Sequence, residues 1–361
     1  MCRSRAAQII LQAAAIWKCP DRHAVDRPIR FTMAGGFIVR YMAREQSIRM
    51  EWPLDLKPEL ILAEDAGDPR YSDGDDLEDS LLEIVQGDDA PARIEEMIRS
   101  GPPWPVLYHF SPIRENLLDW YPFRPEASLL EVGSGMGALT GLFCRKVKRV
   151  TAVELTARRA TITAYRHHDR ENLRVIAGNI DGIGSGEGYD YVTSIGVLEY
   201  AGRYDDTRDP FASFLMRLRS FLAPEGVLIL AIENRFGLKY WSGAREDHSG
   251  EPYQSLEGYY RKDDVRTFSR KGLEALLMRA GFGGTEFYYP VPDFKLPQEI
   301  FSDTYPPTMD HNIRAGAFPY ADHSQPREYL FNERLVSDSI ISEDSFPFFA
   351  NSFLVFATQR P

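Results

Sequence analysis

The chain has 361 residues, 43% hydrophobic and 26% charged, which is enough to bury a full core and more than one minimal domain requires. No window approaches eighteen uninterrupted apolar residues, and 27 Gly with 24 Pro is ordinary usage, so a membrane span, a collagenous chain and wholesale disorder are not expected. The net charge of −11 is local: residues 51–100 hold 16 acids and 4 bases, whereas residues 1–50 hold 9 bases and 3 acids, and no phosphate-neutralising footprint emerges, so no nucleic acid partner is expected.

The opening MCRSRAAQIILQAAAIWKCP has basic residues before an apolar stretch, the outline of a secretory signal, but Gln8 and Gln12 interrupt it and no small-residue cleavage site follows before Lys18. A short amphipathic helix, or a native start nearer Met33, fits better, and residues 1–32 stand apart. Cys2, Cys19 and Cys144 are odd in number and widely spaced, so neither a disulfide framework nor a metal cluster is expected, and a reducing, cytoplasmic compartment is. Residues 37–50 alternate as strands do. YSDGDDLEDSLLEIVQGDD then reads as an acidic turn entering a helix over Leu77–Val85, its charges forming a solvated face.

PPWP at 102–105 marks a boundary between an acidic N-terminal appendage, 1–105, and a second domain, 106–361. Ser111 and Pro112 can open a helix with Ile113, Leu117, Leu118 and Trp120 on its apolar side. Strands are expected at 128–132, 147–153, 173–177, 189–195, 227–232, 285–289 and 349–358, with helices at 138–145, 157–169, 210–222 and 271–280. Such alternation implies parallel pairing with right-handed crossovers. Residues 234–269 and 290–348 lack clear elements and read as inserts at the ligand end of the sheet.

Chemistry concentrates in Leu129-Leu130-Glu131-Val132-Gly133-Ser134-Gly135-Met136-Gly137-Ala138, a strand, a glycine-rich turn and a helix start. Gly133 and Gly135 permit a tight turn with close backbone approach to a ligand, and the helix start supplies free N–H groups. With Ala138 in the third small position the pattern also fits a dinucleotide fingerprint, so alone it does not choose a ligand. Glu131 would repel a pyrophosphate but favours the ammonium and sulfonium of S-adenosylmethionine (SAM). Glu154, about twenty residues on, can accept both hydroxyls of an adenosine ribose. Gly178-Asn179-Ile180-Asp181 offers a side-chain amide and a backbone N–H at the expected adenine edge.

On these residues the sequence resembles the class I SAM-dependent methyltransferase superfamily over about 106–358, with EVGSGMG at 131–137, AVEL at 152–155, GNID at 178–181 and SIGVLEY at 194–200. The resemblance implies a seven-stranded Rossmann-like α/β sheet with helices on both faces, SAM as cofactor and S-adenosylhomocysteine as product. It assigns Gly133, Ser134, Gly135 and Gly137 to the methionyl part, Glu154 with Leu155 to ribose, Asn179 and Ile180 to adenine, and Ile195 to Glu199 to the methyl side. Asn179 stands where many members have Asp, and Tyr200 where a frequent variant has His, which removes the obvious general base. A narrower resemblance, on YSDGD (71–75), YHFSPIRENLLDWYPF (108–123), ENRFGLKYWSGAREDHSG (233–250), YYPVPDFKLP (288–297) and FANSFLVFA (349–357), is to a bacterial methyltransferase group often associated with cell-surface glycan assembly.

On the acceptor side, His248 is expected to be the base, because its ordinary pKa is near neutral and carboxylates flank it; Glu199 is the second catalytic candidate. Asn234, Arg235, Tyr240, Asp247, Tyr288 and Asp293 are expected to bind the acceptor, and Arg114 to hold the SAM carboxylate. His167 and His168 lack metal-ligand spacing and read as solvated, and no metal is expected. Tyr288, Tyr289, Phe294, Phe301 and Tyr305 form either an aromatic lid or core packing beneath an insert. The expected reaction is methyl transfer to a hydroxyl of a sugar, glycan or glycoconjugate. The alternatives are O- or N-methylation of a small natural product, a nicotinamide-dependent oxidoreductase and a non-catalytic protein of the same fold; homo-oligomerisation is left open.

Overall fold

The structure, a computed structural model, describes residues 29–32, 38–42, 47–51, 57–63, 72–183, 188–205, 207–259, 265–313, 315–322 and 327–360. The expectations for the leader, Cys2 and Cys19 lie outside the described residues. The chain divides into two compact units, Met1–Phe110 with Phe123–Gly184 and Ser111–Pro122 with Ser185–Pro361.

In the first unit, β1 (Ile29–Thr32), β2 (Ile38–Met42), β3 (Ser47–Glu51) and β4 (Glu59–Ala63) form an antiparallel meander. Parallel strands β5 (Ser128–Val132), β6 (Arg149–Glu154) and β7 (Leu173–Ala177) follow, in the order β4-β7-β6-β5, with β4 parallel to β7. β2 and all but the last residue of β3 fall inside the stretch expected to alternate. A five-residue apolar run such as the ELILA of β4 has no periodicity that separates strand from helix. Thr156 caps the helix Ala157–Arg166, its hydroxyl accepting from the Arg159 N–H.

The acidic helix, Asp75–Val85, is more than a solvated face. Leu81, Leu82 and Val85 pack with Val106, Phe110, Met136 and Ile162 in one buried cluster. Glu78 is itself buried and pairs with the equally buried Arg159 at 2.8 Å. Residues 72–105 thus share a compact unit with β5–β7. Cys144 is buried and its thiol is pushed up to about 12 by desolvation, so it carries no thiolate chemistry at neutral pH.

In the second unit, β8 (Tyr189–Ile195) pairs parallel with β9 (Leu222–Glu233), and β12 (Ser352–Thr358) lies antiparallel between β9 and β10 (Gly284–Val291). β11 (Glu299–Ser302) adds a hairpin to β10. β5 to β10 and β12 are the seven expected strands, and β12, antiparallel to both of its neighbours, departs from all-parallel pairing. Ser111 accepts from the Ile113 N–H as expected, but the helix it opens is the short 3-10 turn Pro112–Leu117. Leu117 and Leu118 are buried, whereas Ile113 and Trp120 are 42% and 44% exposed, because a three-residue repeat does not hold all four on one side. Among the described residues no helix is long and apolar enough to cross a membrane.

Candidate active site

The first unit holds the residues expected on the donor side. β5 is buried along its length and runs into a turn where Gly133, Gly135 and Gly137 have φ of 74°, 58° and 79°, the left-handed region that glycine enters without cost. The Gly133 and Ser134 N–H groups donate to the Val153 carbonyl at 2.8 and 3.0 Å. The Gly135 N–H donates to Glu154 Oε2 at 2.9 Å, while Glu154 Oε1 accepts from the Thr156 N–H and hydroxyl at 3.0 and 3.3 Å. Burial raises the Glu154 carboxyl, against the opposing effect of Arg159 and these donors. A carboxylate has about four acceptor positions. With three filled, Oε2 keeps one for a ribose hydroxyl, and a second hydroxyl must displace the Thr156 hydroxyl. Ser134 is buried, and its Oγ has no hydrogen-bond partner among the described residues.

The turn is supported from behind by residues to which the sequence reading gave no part in it. A Cβ on Gly135 would lie 3.3 Å from His109 Cε1. Nε2 of the buried His109 is 3.0 Å from Asp73 Oδ2, which also meets Arg159 at 2.9 Å. Thr163 donates to the Gly135 carbonyl at 3.0 Å, and His167 Nε2 lies 2.8 Å from the Gly137 carbonyl. A carbonyl only accepts, so that nitrogen bears the proton. Burial, with Arg166 adding to it, pushes His167 down to about 3, so this histidine is a neutral structural donor and not a solvated one. The stretches YSDGD and YHFSP carried the signal for His109 and Asp73, but only packing joins them.

Other donor-side candidates are engaged by the chain itself. Glu131 Oε2 accepts from the Thr140 hydroxyl at 2.6 Å. Asn179 accepts from the Asp181 N–H at 3.1 Å and caps the turn Ile180–Gly182; Ile180 is buried and Leu155 half-buried. Arg114 belongs to the second unit, where it is buried and donates to the Phe294 and Lys295 carbonyls at 3.2 and 2.8 Å. This corrects the expectation for Arg114: its guanidinium pins a backbone segment.

In the second unit, the chain after β8, the end of β9 and both inserts converge on a buried cluster of charges. Ile195 closes β8, and Glu199 follows in the 3-10 turn Leu198–Arg203. His248 Nδ1 is 2.9 Å from Glu246 Oε1, and its Nε2 is 3.7 Å from Glu199 Oε1. Burial opposes charge on this ring, but Glu199 and Glu246 outweigh it and hold His248 well above 6.5. With a proton on each nitrogen it has no lone pair to offer, which corrects its expected role as base. Burial raises the Glu199 carboxyl, against the pull of His248, and among the described residues Glu199 Oε2 has no hydrogen-bond partner.

Glu233, at the end of β9, meets Lys295 through Oε1, and Lys295 also faces Asp247 and Asp293, each at 3.7 Å. Lys239 lies 2.6 Å from Asp247 and 3.9 Å from Asp293. Burial favours the neutral acids, but the two lysines outweigh it and hold Asp247 and Asp293 below the usual carboxylate range. Glu199, Glu233 and His248 bring three ligand-capable atoms within 4.8 Å. The His248 imidazolium and the Lys295 ammonium already balance those two carboxylates. Glu233 and Lys295 are the members sequence reasoning missed, since no local spacing links them to each other or to His248.

Of the expected acceptor residues, Asp247 and Asp293 lie in this cluster. Asn234 does not serve there: its side chain donates to the Phe348 and Ala350 carbonyls, each at 2.7 Å, and accepts from the Phe236 N–H at 3.0 Å. Tyr240 is buried and donates to Asp247 at 2.7 Å, and Arg235 donates to the Leu256 carbonyl at 3.3 Å and covers the Phe236 ring. These three are corrected from acceptor ligands to supports of the insert. Tyr288 stands half-buried on β10 and lines a separate groove.

Residues 130–228 match the family model described as a methyltransferase domain. Over 55 residues the chain is 40% identical to the curated protein "Probable ribosomal RNA small subunit methyltransferase A" of Methanosarcina acetivorans, an alignment that spans 15% of this chain and 20% of that relative. Among solved structures, it is similar to a Thermotoga maritima SAM-dependent methyltransferase described as a possible histamine N-methyltransferase, with 16% identity, a TM-score of 0.40, and coverage of 78% of this chain and 100% of the other. It is also similar to Haemonchus contortus phosphoethanolamine N-methyltransferase 2 in complex with phosphomonomethylethanolamine and S-adenosylhomocysteine, with 14% identity, a TM-score of 0.40, and coverage of 69% and 52%.

Proposed function

We propose that the chain uses its SAM-dependent methyltransferase domain to methylate a hydroxyl of a sugar, glycan or glycoconjugate, with Glu199 as the general base. The observation that carries this reading is the unpartnered Oε2 of a buried Glu199 held against a charged imidazole. The donor-side residues suit SAM: Ser134 offers a free hydroxyl, the glycine turn admits close approach, and Glu154 Oε2 has one acceptor position left. When bound, SAM supplies an electrophilic methyl group and leaves as S-adenosylhomocysteine. An acceptor hydroxyl would form its new bond to that carbon as the carbon–sulfur bond broke, and its proton would pass to Glu199 Oε2. A carboxyl raised by burial is a stronger base than an exposed one, the direction that proton abstraction near neutral pH requires. His248 stays charged and orients Glu199. Orientation supplies most of the rate, and the base contributes about 10²-fold or more.

A hydroxylated acceptor is supported by the polar, charged character of both inserts, and the glycan setting by the five stretches resembling a glycan-associated bacterial group. A reducing, cytoplasmic setting rests on the cysteine usage alone. Incubation with labelled SAM and, separately, glycan intermediates, small hydroxylated or amine metabolites and ribosomal RNA tests the acceptor. A gain of one methylene on a sugar oxygen is expected, and label only on amines or RNA overturns the reading. With the accepted sugar, Glu199→Gln should lower kcat about 10²-fold or more with SAM affinity unchanged. The kcat profile should rise with pH as Glu199 loses its proton, on a limb above the ordinary 4.5. His248→Ala removes the charge that opposes this shift, so the limb should move to higher pH; an unmoved limb excludes the pair.

A further inference from the structure

The second unit carries a groove of about 660 Å³, outside the charged cluster, whose walls come from the 111–122 segment, β10, β11 and the loops beside them. We propose that this groove is a saccharide-binding subsite that holds part of a glycan acceptor, a proposal that rests on the glycan reading above. Its volume is that of a small-ligand site.

Three aromatic side chains line it: Trp120 is 44% exposed, Tyr305 is 78% exposed, and the half-buried Tyr288 lies with its ring 5.1 Å from that of Trp120 at 45°. The aromatic segment anticipated as either lid or core is therefore divided, since Tyr289 and Phe294 are fully buried while Tyr288 and Tyr305 line the groove. The Trp120 indole N–H donates to the Leu117 carbonyl at 2.9 Å, so the part of this side chain left for a ligand is the ring face. Asn116 Nδ2 donates to the Pro297 carbonyl at 3.0 Å, which fixes the amide on the groove wall beside the rings. Asp119 and Glu299 add two carboxylates to a lining that also carries these rings.

Four ligand classes compete for such a groove, and the lining separates them. A nucleic acid strand also stacks on aromatic rings, but it needs cations along its phosphates, and among the described residues no Lys or Arg lines the groove. Proline-rich peptides dock in aromatic-lined grooves, and a tryptophan N–H free for their carbonyls would strengthen that mode; here the N–H is engaged. A quaternary ammonium ligand is held between rings that leave room for it, whereas Trp120 and Tyr288 are in mutual contact, with centroids 5.1 Å apart at 45°. A pyranose has an apolar C–H face for a ring and a rim of hydroxyls for amides and carboxylates, and it is uncharged. Its two kinds of surface match the two kinds of lining.

Saturation-transfer NMR on the full chain tests this with a panel of maltose, cellobiose, N,N′-diacetylchitobiose, choline and a decaproline peptide. At least one disaccharide should receive saturation through its ring C–H protons, with at least tenfold weaker binding in Trp120→Ala. Because Trp120 also packs on Phe356, the highly exposed Tyr305→Ala serves as the second variant and should weaken the same disaccharide severalfold; SAM binding by thermal shift should be unchanged in both. Saturation of no disaccharide, of choline or decaproline alone, or of a disaccharide equally in both variants overturns the proposal. The two readings fail separately. Groove binding without methyl transfer to any sugar removes the proposed function, whereas sugar methylation with an unchanged KM in both variants removes the subsite.

Discussion

Gly135 occupies a position where backbone, ligand side and support meet. Its φ of 58° and the 3.3 Å approach of His109 leave little room for even one carbon. Gly135→Ala should therefore destabilise the fold by about 1 to 2 kcal/mol through the left-handed backbone alone, read as a lower urea midpoint. At Glu154 the isosteric change is more informative than truncation, because Ala would also orphan the Gly135 and Thr156 donors. Glu154→Gln keeps one acceptor oxygen but turns an NH2 toward either the Gly135 or the Thr156 N–H, orphaning one donor where Ala orphans both, and should weaken SAM binding by about 1.5 to 3 kcal/mol in a calorimetric titration. Wild-type affinity in that variant would remove Glu154 from the ribose site.

At the scale of elements, helix Asp75–Val85 is fastened to helix Ala157–Arg166 by its apolar stripe and by one ion pair with both partners buried, Glu78 with Arg159. Removing Arg159 leaves the buried Glu78 with only the more distant Arg158, at 3.5 Å, and takes a partner from Asp73. Arg159→Met should cost about 3 to 5 kcal/mol in equilibrium unfolding, whereas replacing both residues by apolar ones should recover much of that loss. A single-variant cost below about 1 kcal/mol would show that water reaches Glu78. Arg114 does comparable work in the second unit, where its two bonds to the 294–295 carbonyls set the segment from which Lys295 enters the charged cluster.

For the whole molecule, buried titratable groups set the pH range of stability. His167 is held near 3, below the 6.5 of an ordinary histidine, so between those values the unfolded chain binds the proton the folded chain refuses. Its contribution is complete above about 6.5 and is lost as pH falls, on the order of a few kcal/mol in all. Asp73 acts in the same direction: burial would raise it, but His109 and Arg159 lower it, so its contribution is present above 3.8 and lost below. His248 has the opposite sign, with stability complete below 6.5 and lost as pH rises through its elevated folded value. Urea midpoints should form a dome against pH, and His167→Gln should flatten its acid side between about 3 and 6.5. An acid slope as steep as that of the unmodified chain would mean that His167 takes up its proton without unfolding.

The sequence by itself determined what short runs of residues decide. The seven core strands, the glycine turn that follows β5 and the acidic residue closing β6 were legible because strand pattern, turn chemistry and strand-end position are local properties. The methyltransferase domain was legible for the same reason. Tertiary structure alone decided which distant side chains share a dielectric. Glu233 and Lys295 are 62 positions apart, Asp73 and His109 are 36, and no periodicity connects either pair. Burial then reversed several readings: it made His167 a neutral donor and allowed two carboxylates to hold His248 charged. Asn234, Tyr240 and Arg114 became parts of the scaffold because buried polar groups bond to whatever the fold places beside them. A residue's type sets the chemistry available to it, but its charge state and free lone pairs depend on neighbours that only the folded chain supplies.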